Sequence, residues 1–406
     1  MLIMVNHVQW LTTSQVAHRL GVKPATIYAY VSRGVLESHR DEDRTSRYRA
    51  IDVEALAVRG RPREASRHHS LDIEITTRIT EIGDHSIRYR GHDALALART
   101  CSFEQVAELL WTGELPSVPP SWAAGAQPPA IPLGLSVRDH LRLVAAHASV
   151  GGRERRDLRS VTDEGRRLIS SMIDSLSIAG DGRCPRLLLP SGVPVRGSLA
   201  GRLWTRLSPR RPTPGLIATM NAALVLLADH EMAASTLAAR VAASTRAGVH
   251  GVVAAGMGTL GGPLHGGESR RARGVLDRVT VASAQGAMLM ALELHGRLPG
   301  FGQVLYPSGD PRATLLLEML RAAAGSHPAI VAADSLIAAA ARRRLPPPNV
   351  DLALAVLGMV AAMPEDGGEA IFTPARVVGW LAHAMEEYDE RPLRFRPRAV
   401  YVGASG

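Results

Sequence analysis

The sequence predicts a mainly α-helical protein with a small winged helix-turn-helix domain in front of it. Three observations carry that expectation. Residues 1–58 hold two short runs of helical spacing around a glycine turn, followed by a basic, polar stretch. From about residue 72 onward, apolar residues recur three and four apart. Strand signals in that long segment are confined to one short alternating stretch.

In chain order, "TTSQVAHRLGVKPATIYAYVSRGVL" offers Thr12 or Thr13 as an N-cap, with Val16 and Leu20 four apart on one face. Gly21 makes the turn. Pro24 opens a second helix in which Ile27 and Val31 repeat the spacing, so two short helices can pack across each other. "ESHRDEDRTSRYRAIDVEAL" then reads as a wing carrying Arg44, Arg47 and Arg49, closed by a third helix. This segment resembles the MerR and excisionase-type DNA-binding domains. The resemblance implies that Thr26, Tyr28 and Tyr30 face the major groove while wing arginines touch phosphates. A helical protein-docking module is the alternative. Residues 59–72, with "RGRPREASRHHS", are too poor in apolar groups to fold and read as a linker. Arg59-Gly60-Arg61-Pro62 looks like a minor-groove AT-hook, but one copy is short enough to arise by chance.

Beyond the linker, "ITTRITEIGDHSIRYRG" alternates enough for a hairpin. "FEQVAELLW" and "NAALVLLADHEMAASTLAARVAAST" have helical spacing, and alanines such as Ala233, Ala234 and Ala238 suggest close helix packing. "SVPPSWAAGAQPPAIP" and "RLSPRRPTP" break the helices, and no tandem repeat is present.

At 406 residues and 46% apolar content the chain can fill two or three domains. No apolar stretch approaches the roughly 20 residues of a membrane helix. A signal peptide pattern is also missing, so a cytoplasmic protein is expected. Cys101 and Cys184 fit neither a disulfide framework nor a metal site; both are expected to be reduced and structural, and no metal is expected. The net charge is +9, but Lys23 is the sole lysine. Such a bias towards arginine points to codon usage as much as to a polyanionic partner. Residues 1–70 hold eleven Lys or Arg against seven Asp or Glu, so the surplus is proportionally larger there.

"GMGTLGGPLHGGE" contains Gly256, Gly258 and Gly261 in the G-x-G-x-x-G spacing of a dinucleotide turn. That turn needs its third glycine inside a helix start, yet Pro263, Gly266 and Gly267 follow at once. The segment is expected instead to be a loop presenting His265.

Four patches, read together, resemble the citrate synthase family. They are "RYRGHDALALARTCSFEQVAELLWTGELP"; "ADHEMAASTLAARVAAST" running on into "GPLHGGE"; "PGFGQVLYPSGDPRA"; and "PNVDLALAVL" with the closing "ARVVGWLAHAMEEYDERPLRFRPRAVYVG". Their order and spacing follow the family over some 330 residues. The resemblance implies a citrate synthase-like two-domain helical fold: a large domain over 73–265, completed by 361–406, and a small one over 266–360 that closes the cleft.

It also implies a condensation of oxaloacetate with a short acyl-CoA, acetyl-CoA or propionyl-CoA, as cosubstrate, with no permanently bound cofactor. A thioester methyl is so weakly acidic that a carboxylate removes its proton only if a donor holds the forming enolate oxygen. Asp351 matches the family's base and His265 that donor. His230, Arg312 and Arg376 match the oxaloacetate ligands, and Arg396 matches an arginine supplied by the other subunit of a homodimer. Arginine suits a dianion because its planar fork grips a carboxylate through two parallel hydrogen bonds.

One position departs from the pattern. Gln303 stands where the family's second catalytic histidine polarises the ketone and protonates the new alkoxide. An amide can donate a hydrogen bond but cannot give up a proton. Smaller departures are Ala233 and Ser269 for asparagine and Leu237 for phenylalanine. Two readings stay open: a synthase-like enzyme of reduced activity carrying a DNA-binding domain, or a metabolite-sensing transcriptional regulator that has kept the pocket. Asp351 favours the enzyme, because a carboxylate beside a dianion weakens binding.

Overall fold

The computed structural model describes residues 10–40, 45–50, 52–53, 56, 74–126, 131–132, 134–149, 155–182, 185–262, 266–279 and 283–397, without the side chain of His18. The linker at 59–72, Cys184, Arg44 and His265 lie outside the described residues. The chain divides into two compact units, Met1–Ile75 and Thr76–Gly406.

In the first unit, strand β1 (Trp10–Thr12) leads into helices α1 (Thr13–Leu20) and α2 (Pro24–Ser32), followed by β2 (His39–Arg40) and β3 (Ser46–Arg49). Thr12 is the cap: its hydroxyl accepts from the Gln15 N–H at 3.3 Å while the Gln15 amide oxygen accepts from the Thr12 N–H at 2.9 Å. Gly21 sits at φ +65°, which favours glycine at the turn. The three strands form an antiparallel sheet in the order β1-β3-β2, with Leu11 opposite Tyr48 and Arg47 opposite both Thr12 and His39. Strand alternation buries Tyr48 with Val16, Ile27, Leu36 and Val53 in a small core.

The second unit opens with an antiparallel meander, β4 (Thr80–Gly83), β5 (Ser86–Tyr89) and β6 (His92–Asp93). Helices then follow: α3 (Ala94–Thr100), α4 (Phe103–Thr112), α5 (Val137–Ala148), α6 (Leu158–Asp174), α7 (Leu199–Leu207), α8 (Pro214–Leu227), α9 (Ala234–Ser244) and α10 (Val249–Leu260). The remainder are α11 (Glu268–Val279), α12 (Ala284–His295), α13 (Pro311–Ala324), α14 (Pro328–Arg342), α15 (Val350–Val360) and α16 (Gly367–Tyr388). Local signals explain their starts: Ser102 and Gln105 form a capping box on α4, and Pro214, Pro311 and Pro328 sit in first turns.

Two helices are apolar nearly all round and make the centre. α8 buries eleven residues, from Leu216 to Leu227. α15 is buried along its length except near Asp351 and Met359. A helix without a polar face has to be surrounded by protein. α16, the longest of the described helices, packs against α4, α6, α8, α9 and α10. Among the described residues no helix is long and apolar enough to cross a membrane.

Two expectations change in detail. The glycines at 256 and 258 lie within α10, and Gly261 caps its C-terminus. The loop therefore begins later than the sequence suggested, and Gly256 is there because a Cβ would stand 2.6 Å from the Trp380 indole. The long run from Asn221 to Thr245 is two helices interrupted at 228–233. Asp229 makes that break by taking the Glu231 N–H onto its carboxylate at 3.1 Å, a side-chain bond that competes with helix continuation.

Candidate active site

The break between α8 and α9 presents His230, which is buried. Its neighbour Asp229 anchors the turn: Oδ2 accepts from the Thr80 hydroxyl at 2.6 Å, and the Asp229 carbonyl accepts from the Tyr89 hydroxyl at 2.9 Å. His383 Nε2 lies 3.4 Å from the same carboxylate, and its Nδ1 lies 3.0 Å from Arg240, a donor-only group, so the imidazole keeps its proton on Nε2. Gly379 lets α16 reach this turn. Its N–H donates to the Ala228 carbonyl at 2.9 Å, and a Cβ there would lie 2.3 Å from the Asp229 carboxylate.

Two arginines are buried beside the turn. Arg376, on α16, donates from Nε to the Leu227 carbonyl at 2.9 Å, and its guanidinium lies 4.8 Å from the centre of the Phe372 ring. Burial and the nearby Arg312 bring it down to about 10, so it stays charged at neutral pH. Arg312 is held by Asp310 through bonds of 2.9 and 2.8 Å. Burial alone would lower it, but the paired carboxylate raises it well above the ordinary arginine value. Tyr306 lies between these groups, its ring 5.6 Å from His230 and 5.7 Å from the Arg312 guanidinium.

Asp351 stands in the first turn of α15, whose cap Asn349 accepts from the Asp351 N–H at 3.0 Å. The segment carrying Gln303 is stitched to that cap. Asn349 N–H donates to the Gly300 carbonyl at 2.9 Å, Asn349 Nδ2 to the Gly302 carbonyl at 2.9 Å, and Gly302 N–H to the Pro347 carbonyl at 2.8 Å. Phe301 bridges Pro348 across the same joint. Gly300, at φ +80°, allows this approach, since a Cβ would stand 3.1 Å from the Leu352 side chain.

Asp351 also lines a narrow pocket with Arg138, Gly267, Ser269, Glu369 and Phe372. Arg138 holds Glu369 through two bonds of 3.1 Å and reaches the Gly261 carbonyl at 3.0 Å, closing one wall. Burial and the neighbouring Glu268 push the Asp351 carboxyl up to about 7, against the pull of Arg312. Glu268 is itself buried and paired with Arg297 at 2.9 Å. A carboxyl balanced near neutrality is what general-base catalysis at physiological pH needs.

The structure thus gathers His230, Arg312 and Arg376 in one buried region. Asp310 links them to Asp351 by accepting the Val350 N–H at 3.0 Å. Gln303 is half-buried on the stitched loop. Arg396 is exposed. In the N-terminal unit Tyr28 is 58% exposed, whereas Tyr30 packs partly on the small core and Thr26 is half-buried. Arg47 lies on the central strand β3. Sequence reasoning missed Asp310, Asp229, Glu268 and Tyr306; only Asp310 carried a signal, as an aspartate before a helix-opening proline.

Comparison with known proteins places the chain among relatives. The family profile for "Citrate synthase, C-terminal domain" matches residues 72–123 and 142–398, and a "Helix-turn-helix domain" profile matches residues 10–60. Citrate synthase 2 of Bacillus subtilis is 29% identical over 353 residues, covering 82% of this chain and 94% of that protein. The 2-methylcitrate synthase of Shewanella oneidensis is 27% identical over 343 residues, covering 79% and 89%. Among solved structures, the ternary complex of Thermoplasma acidophilum citrate synthase with carboxymethyl coenzyme A and oxaloacetate superposes with a TM-score of 0.63 at 26% identity, covering 82% of this chain and 95% of that one.

Proposed function

This chain belongs to the citrate synthase family, and on that premise we propose that it condenses oxaloacetate with a short acyl-CoA, slowly, and carries a DNA-binding unit at its N-terminus. The observation that carries the reading is the Asp351 carboxyl, raised to about 7 in a narrow pocket next to the buried Arg312. Asp351 takes a proton from the carbon beside the thioester while His265 holds the thioester oxygen. The resulting enol attacks the ketone of oxaloacetate, whose carboxylates rest on His230, Arg312 and Arg376. Water then cleaves the thioester and releases CoA. Closure of a small domain, residues 266–360, over a large one, 73–265 with 361–406, excludes water until then. The active unit is a cytoplasmic homodimer in which Arg396 completes the neighbour's site.

Gln303 sets the rate. Removal of an oxyanion donor typically costs about 100- to 1000-fold, and the amide retains only the hydrogen bond. Free CoA release from acetyl-CoA or propionyl-CoA with oxaloacetate is therefore expected to be slow in the native protein and at least about 10-fold faster in Gln303→His. Silence in both proteins, despite measurable oxaloacetate binding, would instead favour the second reading, a sensor that sets DNA occupancy. Gln303 and the N-terminal unit are the observations on that side.

For the DNA half, a gel shift with the protein's own upstream region at low salt is expected to show retardation. Replacing Tyr28 and Arg47 together by alanine is expected to weaken it at least about 10-fold, with a salt slope shallower by about one. Unchanged retardation would remove these two residues from the interface.

A further inference from the structure

Tyr306 is fully buried, yet its hydroxyl has no hydrogen-bond partner among the described residues. Proteins rarely leave a buried hydroxyl unmatched, and such a group is a common mark of a place where a ligand completes the bonding. Its surroundings say which ligand. The ring packs on His230 at 5.6 Å and lies 5.7 Å from the Arg312 guanidinium, the two groups assigned above to oxaloacetate. Its backbone N–H donates to the Gln303 carbonyl at 3.1 Å, so Tyr306 closes the turn that Gln303 opens. The missing imidazole and the unmatched phenol therefore share one turn of chain.

We propose that the Tyr306 hydroxyl donates to the ketone oxygen of oxaloacetate and supplies the proton that Gln303 cannot. The inference rests on the condensation reading. When the enol carbon bonds to the ketone carbon, the C=O π pair moves to oxygen, and the hydroxyl proton passes to that oxygen. The tyrosinate left behind is stabilised by Arg312 and takes its proton back from water. The Asp351 carboxyl meanwhile keeps the proton it removed and returns it to solvent. Burial pushes the Tyr306 hydroxyl up to about 12, with Arg312 opposing and Asp310 and Glu231 adding to the rise. A phenol of that strength is still more acidic than an aliphatic alcohol, so transfer to an alkoxide runs downhill. It remains protonated throughout the range in which Asp351 works, and the division of labour holds at neutral pH.

The test is a double-mutant cycle on CoA release, with Tyr306→Phe made in the native and in the Gln303→His protein. Phenylalanine keeps the ring packing, and matching thermal midpoints will show that the fold is kept. Tyr306→Phe is expected to lower kcat by about 100-fold in the native protein, with KM for oxaloacetate changing by less than about 3-fold. In Gln303→His, where an imidazole does the work, the same change is expected to cost less than about 5-fold. Equal losses in both backgrounds, or no loss in the native one, overturn the proposal while leaving the synthase reading intact. Should none of the four proteins release CoA, the synthase reading falls, and the ketone stretch of bound oxaloacetate decides Tyr306. A band at higher frequency in Tyr306→Phe than in the native protein supports the contact. Identical bands, or no saturable oxaloacetate binding, overturn it.

Discussion

Asp351→Asn is expected to stop CoA release, lowering kcat by about 1000-fold or more, and at the same time to make the ligand-free protein more stable above pH 7. The two effects have one cause. Removing an unwilling proton requires a carboxylate in a place that disfavours charge, and burial with Glu268 nearby disfavours it here. The folded protein holds the Asp351 proton until about pH 7, whereas the unfolded chain releases it near the ordinary value of 3.8. Between those values the folded state binds the extra proton, so the group's contribution to stability falls as pH rises from about 4 to 7 and is fully unfavourable above that. Asparagine removes the titration. A gain on the order of 2 kcal/mol at pH 8 is expected, less than a three-unit shift alone implies because the residue keeps some contact with solvent. Urea unfolding of the native and variant proteins at pH 5 and pH 8 checks this: the gain should be larger at pH 8. Native-like CoA release by Asp351→Asn would remove Asp351 from the chemistry.

Asp310→Ala is expected to cost more stability than any single loss of a surface ion pair, about 3–5 kcal/mol. Two backbone N–H groups and one guanidinium converge on this carboxylate. Oδ1 accepts from the Arg312 N–H at 3.0 Å and from Arg312 Nε at 2.9 Å. Oδ2 accepts from Arg312 Nη2 at 2.8 Å and from the Val350 N–H at 3.0 Å. Alanine would leave Arg312 charged and unpaired although only 2% of it is exposed. It would also uncap α13 and release the start of α15 from α13. Asp310→Asn keeps acceptor and shape but loses the charge, and an intermediate loss is expected. Oxaloacetate binding should fall in both, because the guanidinium loses its fixed direction. Unfolding curves and a binding titration check these outcomes; a loss below about 1 kcal/mol in Asp310→Ala would mean that water replaces the carboxylate.

Much of this arrangement was legible in the sequence where local physics decides it. The α1 and α2 pair, the hairpin of β4 and β5, and α4 all follow from caps, alternation and apolar spacing. Asp351, Arg312, Arg376 and His230 stood out because each sits in a recognisable motif. Features that depend on distant neighbours were hidden. A glycine reads as loop, yet Gly256 lies in a helix, and glycine stands there because the Trp380 ring leaves no room for a Cβ. The interruption after Leu227 follows a helix that is apolar on nearly every side, where periodicity has nothing to register. Tyr306 and Glu268 carry no local mark at all, since their importance comes from what surrounds them.

The joint between the Gln303 loop and the residues before α15 has one further consequence. Pro346, Pro347 and Pro348 have no N–H to give, so this strip offers only carbonyls, and Asn349 supplies the return bonds. On its proline side the contact offers no N–H to a further strand. The extended segment that leads to Asp351 is thereby a poor donor to any strand of another copy that approaches its proline side.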